Sequence, residues 1–159
     1  YCMEQATDRC KMYCGEKNQM YSALSEELAR MYNAAGRREE SLACHLAVRN
    51  QLLKNGYREG SLLLMVDNNM SVVYLDLGRP EEAIPYLTEA LELTKENGLV
   101  GSAVAEPTWN LARVYRALGD EEKEDIYLKA AVEGFRECYP PEHPKRIAAE
   151  QRLKERQGE

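Results

Sequence analysis

YLDLGRPEEAIPYLTEALEL, residues 74–93, sets a tyrosine four positions before a glycine, then a charged turn, then a run whose small residues share one helical face. The question is whether this is one helical hairpin or one copy in an array, because an array is usually a surface built to hold another chain. The same pair recurs at Tyr32 and Gly36, Tyr74 and Gly78, and Tyr115 and Gly119, with the glycines 42 and 41 residues apart. A second mark keeps step with the first: Gly15, Asn55-Gly56 and Asn97-Gly98, with glycines 41 and 42 residues apart. The next step of that series falls at Tyr139, just ahead of Pro140-Pro141, where a helix must also stop. Two marks in phase over more than two periods identify an internal repeat.

Between the marks the pattern is helical, and no stretch alternates with the period of two that a strand requires. The expected fold class is all-α: a right-handed superhelical solenoid of antiparallel helix pairs. Residues 1–159 form a single domain in this reading. Residues 1–14 are a half repeat, 18–55, 59–97 and 102–138 are helix pairs, and 142–157 is a capping helix. Within the pairs, residues 18–35, 59–77 and 102–118 are first helices, and 37–55, 79–97 and 120–138 are second helices. The second helices open with Glu39-Glu40, Pro80-Glu81-Glu82 and Asp120-Glu121-Glu122, which suit the positive end of a helix dipole.

Composition bounds the function classes. Charged residues are 30% and apolar residues 44% of the 159, with only six prolines, as in a folded helical chain rather than a disordered one. The formal charge of −6 argues against nucleic acid or an anionic membrane as partner, since either calls for a basic surface. No apolar run approaches the about 20 residues of a membrane span, the longest covering only residues 62–66. The chain opens on Tyr1 rather than methionine, which fits a piece of a longer protein. Five cysteines, Cys2, Cys10, Cys14, Cys44 and Cys138, are an odd set without regular spacing, which favours free thiols in a reducing, cytoplasmic compartment. Cys10 and Cys14 share a helical face, but no second close pair accompanies them, so packed or exposed thiols are the simpler reading than a metal or redox pair.

The first helices read LARMYNAAG, MSVVYLDLG and LARVYRALG, and the second helix of the middle pair continues with Ala83, Leu87 and Ala90. This resembles the tetratricopeptide repeat, in which small residues let two helices approach and large ones fill the seam between them. Ala29, Ser71, Ala112, Ala83 and Ala90 hold the small places, and Leu28, Met70, Leu111 and the tyrosines the large ones. The period is similar to that of the long variant found in kinesin light chains, and Glu142-His143-Pro144 resembles the turn of that variant. Three residues depart from the pattern: Ser41 and Glu124 where it asks for alanine, and His45 where it asks for a bulky apolar side chain. Repeats of the HEAT type have a similar period but lack the tyrosine-to-glycine signature.

The resemblance implies a non-catalytic interaction scaffold that binds a protein or peptide partner in a concave groove lined by first helices. The residues of those helices pointing away from the tyrosine seam are Glu26, Glu27, Arg30 and Asn33, then Asn68, Asn69, Val72 and Leu75, then Trp109, Asn110, Arg113 and Arg116. Asn69 and Asn110 stand one period apart, in NNMS and WNLA, and by resemblance an asparagine here holds the backbone of a peptide ligand. Trp109, with Arg113 and Arg116 on the following turns, suits an aromatic or aliphatic anchor beside a carboxylate. The expected peptide-binding set is therefore Asn69, Asn110, Trp109, Arg113, Arg116, Asn68, Arg30 and Asn33, with Asn110→Ala costly to binding and nearly neutral to folding. A carboxylate clamp of the co-chaperone type does not fit, because Glu26, Arg30, Glu106 and Asn110 hold the corresponding places and only Asn69 agrees.

Catalysis is not expected. No phosphate loop, nucleophile motif or metal-ligand series appears, and none implies a cofactor. Cys44 and His45 are neighbours in sequence, yet adjacent helix residues point about 100° apart and cannot act as nucleophile and base. Two other classes stay open at this level: a peptide-responsive regulatory domain of a larger protein, and a self-assembly module. The second would form a homodimer through the N-terminal half repeat, whose apolar face, with Met3, Cys10 and Tyr13, calls for cover.

Overall fold

A computed structural model describes residues 2–15, 19–57 and 61–158. Among the described residues there are eight α-helices and no strand. They are α1 (Cys2–Cys14), α2 (Gln19–Ala34), α3 (Arg38–Lys54), α4 (Ser61–Asp76), α5 (Pro80–Glu96), α6 (Ser102–Leu118), α7 (Glu121–Cys138) and α8 (Pro144–Gln157). Every expected helix is present, with ends displaced by three residues or fewer. No described helix is long and apolar enough to cross a membrane.

The two recurring marks are helix terminators, and their spacing is set by hydrogen bonds. At Gly36, φ is 76°, the left-handed conformation that glycine adopts without strain. There the Gly36 amide donates to the Asn33 carbonyl at 2.9 Å and the Arg37 amide to the Tyr32 carbonyl at 2.9 Å. Gly119 repeats this geometry, with φ of 73° and the Asp120 amide donating to the Tyr115 carbonyl at 3.0 Å. At Tyr32 and Tyr115 the tyrosine four before the glycine stands where the residue after the glycine finds its backbone acceptor, a place any residue could fill for the bond itself. The second mark works alike: the Tyr57 amide donates to the Leu52 carbonyl at 2.9 Å, and the Leu99 amide to the Thr94 carbonyl at 2.8 Å. A cation stands over the ring of each of these two tyrosines, Arg37, the cap of α3, at 4.2 Å from the Tyr32 centroid and Lys123 of α7 at 4.9 Å from that of Tyr115.

The chain divides into two compact units, Tyr1–Gly78 with α1 to α4 and Arg79–Glu159 with α5 to α8. In unit 1, consecutive helices pack on one another, and α2 also touches α4. Tyr32 Oη donates to Glu4 Oε1 at 2.5 Å, tying the half repeat α1 to the first helix of the next pair. Cys10 of α1 is buried, whereas the side chains of Met3 and Tyr13 lie outside the described residues. Apolar burial is carried by Leu42, Val48, Leu52, Leu63, Val66, Met70 and Val73. Charged and polar side chains are buried with them: Glu26, His45, Arg49, Asp67 and four serines.

Unit 2 fills its interior differently. Ala105, Ala112, Leu128, Val132, Phe135 and Ala149 form the buried cluster, with Trp109 and Tyr139 packed against it. The helices α6 and α7 approach closely at Gly134, where a Cβ would stand 2.9 Å from that of Ala105. The helix α8 closes the unit, and Arg152 on it donates to Glu124 of α7 at 2.7 and 3.2 Å.

All three departures from the repeat pattern are explained by these contacts. Ser41 Oγ donates to the Ala29 carbonyl at 2.7 Å, so the hydroxyl is satisfied at the close approach of α2 and α3. His45 lies 2.7 Å from Glu26. Glu124 is held by Arg152. A polar atom at a seam position is tolerated where a partner across the seam satisfies it.

Candidate functional site

The helices α2 and α4 of unit 1 bring three of the expected site residues together. A cavity of about 210 Å³ is lined by Arg30 and Asn33 of α2, His45 of α3, and Asn69, Val72 and Val73 of α4. Arg30, Asn33 and Asn69 were each expected to face a ligand. His45 was not, because only its departure from the repeat pattern marked it.

A relay of hydrogen bonds stands behind this cavity. Asn69 Nδ2 donates to Glu26 Oε1 at 2.7 Å, and the other carboxylate oxygen of Glu26 lies 2.7 Å from His45 Nδ1. Both Glu26 and His45 are 1% exposed. Glu26 is therefore a buried partner of His45, not the ligand-facing residue that its place on the helix predicts, because a histidine in the seam draws the carboxylate inward. Two polar atoms on the lining residues have no hydrogen-bond partner in the protein, His45 Nε2 and Asn33 Oδ1. Arg30 is exposed and pairs with Glu27 at 2.8 Å. Asn68 is half-buried beside Asn69.

In unit 2 the expected residues lie along α6, at different depths. Trp109 is half-buried, with its ring edge toward Phe135 at a centroid distance of 6.4 Å. Asn110 is 5% exposed, and Arg113 donates to its Oδ1 at 3.1 Å. Asn110 is thus an interior amide, and its truncation bears on folding as well as on binding, contrary to the expectation of a nearly neutral change. Arg116 is exposed.

The base of α6 carries a second polar group. Tyr139 Oη donates to Glu106 Oε1 at 2.5 Å, and Lys145 pairs with the same oxygen at 2.7 Å. Burial pushes the Glu106 carboxyl up, but its bonds to Lys145 and Tyr139 outweigh that and hold it below its ordinary value. Burial, with the bond to Glu106, pushes Tyr139 up to about 12. His143 stacks on the Tyr139 ring at 3.7 Å, so the turn expected at residues 142–144 is packed.

Burial pushes the Cys44 thiol up, the Glu26 charge adds to this, and so Cys44 is a poor nucleophile. Among the described residues no three of His, Cys, Asp and Glu gather to hold a metal ion.

The profile of the tetratricopeptide repeat family matches residues 18–96 and, overlapping it, 62–137. No curated protein matches the sequence. Among solved structures, the chain is similar to the nearly identical TPR-like repeats of a protein from Podosopora anserina named for kinesin light chain. The TM-score is 0.77 at 22% identity, over 98% of this chain and 76% of that one. A form of those repeats carrying one substitution gives 0.79 at the same identity and coverage. BtubC (BKLC) from P. vanneervenii gives 0.72 at 18% identity, over 88% of this chain and 64% of that one.

Proposed function

Since this chain belongs to the tetratricopeptide repeat family, whose members generally mediate protein–protein interaction, we propose that it is a non-catalytic scaffold holding a peptide segment of a partner on its first-helix faces. Each unit offers a face of its own: Arg30, Asn33, Asn68 and Asn69 in unit 1, and Trp109, Arg113 and Arg116 in unit 2, where Asn110 orients Arg113. The observation that carries this reading is the convergence of Arg30, Asn33 and Asn69 on one cavity. A partly formed recess with a cation at its rim and amides in its wall is what an extended segment with polar side chains requires.

The test is capture from a peptide library by the full chain, beside Arg30→Glu and Arg116→Glu variants. Both arginines are exposed, so neither change disturbs the interior. Selective retention by the original chain, reduced by each reversal of charge, is the expected result. Equal retention by all three removes the assigned faces.

Self-association through the N-terminal half repeat is a second reading, favoured by Met12, which α1 leaves 69% exposed. A mass in solution that does not change with concentration would end it. The free thiols Cys44 and Cys138 support a reducing, cytoplasmic setting.

A further inference from the structure

Asn69 and Asn110 stand one period apart in the sequence, but they offer opposite ends of the same side chain to their neighbours. Which end an amide turns to a neighbour is set by what that neighbour can do, since the amide nitrogen donates and the oxygen accepts. In unit 1 the neighbour is the carboxylate of Glu26, which accepts, and Asn69 gives it Nδ2 at 2.7 Å. In unit 2 the neighbour is the guanidinium of Arg113, which only donates, and it takes Asn110 Oδ1 at 3.1 Å. One residue type at one repeat position is therefore set to two polarities.

The setting in unit 1 is held from behind. Glu26 and His45 are each 1% exposed, and His45 Nδ1 lies 2.7 Å from the carboxylate oxygen that Asn69 does not use, so Glu26 is fixed at both oxygens. Asn69 is half-buried and belongs to the wall of the recess of about 210 Å³. Its nitrogen faces a group inside the unit, and in a planar, forked amide the oxygen diverges from the nitrogen, so Oδ1 is turned away from that interior group. The carboxylate is what enforces this orientation: a glutamine at residue 26 could donate to Asn69 Oδ1, and the Asn69 amide could then turn over.

We propose that Glu26 is a positioning residue: it fixes the Asn69 amide with its carbonyl toward the recess, so that unit 1 reads a hydrogen-bond donor, the main-chain N–H of the bound segment. That a segment is bound at all rests on the interaction reading above, whereas the polarity rests on Glu26, and His45 serves by holding Glu26 in place. Every residue except proline supplies such an N–H, so the site excludes proline at one position of the segment and is indifferent to the side chain there.

The experiment titrates the full, ¹³C-labelled chain with N-acetyl-glycine methylamide, which carries N–H groups, and with N-acetyl-sarcosine dimethylamide, which has none, while following the side-chain carbonyl carbon of Asn69. The first compound is expected to displace that resonance at a concentration about tenfold lower than the second, the worth of one hydrogen bond. Glu26→Gln is isosteric and leaves the relay bonded, yet it should abolish the difference, because either end of Asn69 can then face the recess. A merely structural Glu26 would leave the difference in place. Glu26→Gln combined with Asn69→Asp exchanges the two groups, keeps the net charge and again turns an acceptor outward, so the preference, read at the side-chain carbon of residue 69, should return. Where the single variant does not fold, this double variant decides. No displacement, equal displacement by both compounds in the original chain, a preference unchanged by Glu26→Gln, or one lost in the double variant overturns the proposal. A preference without any library peptide retained leaves the polarity standing and removes the interaction reading; retained peptides without a preference do the reverse.

Discussion

The two units solve one packing problem with different chemistry. Unit 2 fills its interior with Leu128, Val132 and Phe135, bordered by Trp109 and Tyr139. In unit 1 a large share of the seam is polar: Glu26 against His45, and Arg49 Nε donating to Asp67 Oδ1 at 2.7 Å. An apolar interior stabilises through area removed from water, and it tolerates exchange of like for like. A buried charge pair adds little net stability, yet losing one member is severe, because the other is left uncompensated. Unit 1 is therefore the half in which single substitutions discriminate most sharply between partners kept and partners lost. It is also the half whose recess still holds unpaired polar atoms.

The largest effect that would test this contrast is Asp67→Ala, expected to cost about 3–5 kcal/mol by removing the carboxylate that Arg49 is paired with in the interior. The double change Arg49→Met with Asp67→Leu should recover most of that loss, or exceed it. Urea denaturation with hydrogen exchange of the α4 amides would measure both. A single change that costs no more than the double one would erase the distinction between the units. In unit 2, Gly134→Ala is expected to cost about 1–3 kcal/mol through overpacking against Ala105, and Ala105→Gly in the same chain should return part of it. A melting temperature unmoved by Gly134→Ala would mean that α6 and α7 can separate freely.

Smaller effects sharpen the comparison. Ser41→Ala removes the hydroxyl that serves the Ala29 carbonyl and should cost about 1 kcal/mol by thermal melting. The smallest effect concerns pH. Tyr139 has its folded pKa raised to about 12, so its contribution is present below the ordinary tyrosine value of about 10 and is lost as pH rises from there through 12. Glu106 has the opposite sign: its lowered pKa favours the folded state above the ordinary carboxylate range, and this is lost as pH falls through it. Tyr139→Phe should flatten the alkaline limb of the stability curve and shrink the acid limb only in part, because Lys145 still holds the Glu106 carboxyl down.

The helices and their ends were legible in the sequence because each mark is itself a local hydrogen-bonded structure. The tyrosine-to-glycine spacing is one turn plus the reach of a single amide, so reading it amounts to reading the cap. The recess was legible in part. Arg30, Asn33 and Asn69 follow from helical periodicity, which fixes the face a residue occupies but not its depth, and for that reason Glu26 and Asn110 were placed too far out. His45, Ser41 and Glu124 were visible as departures from the pattern, but their partners were not. Glu26 lies 19 residues from His45 and Arg152 lies 28 from Glu124, separations at which no local rule pairs side chains.

The local closure of each helix also bears on how such a gene can change length. Every terminating bond at Gly36, Gly56, Gly98 and Gly119 is made within a stretch of six residues, so none depends on a distant part of the chain. A segment of 41 or 42 codons cut at equivalent glycines carries its own stop signals wherever it is spliced. Unequal crossing-over could then insert or delete whole copies without fraying the helices on either side, but a copy inserted at Gly36 or Gly56 would part Arg30 and Asn33 from Asn69, so the polar recess in unit 1 restricts where the number of copies is free to drift.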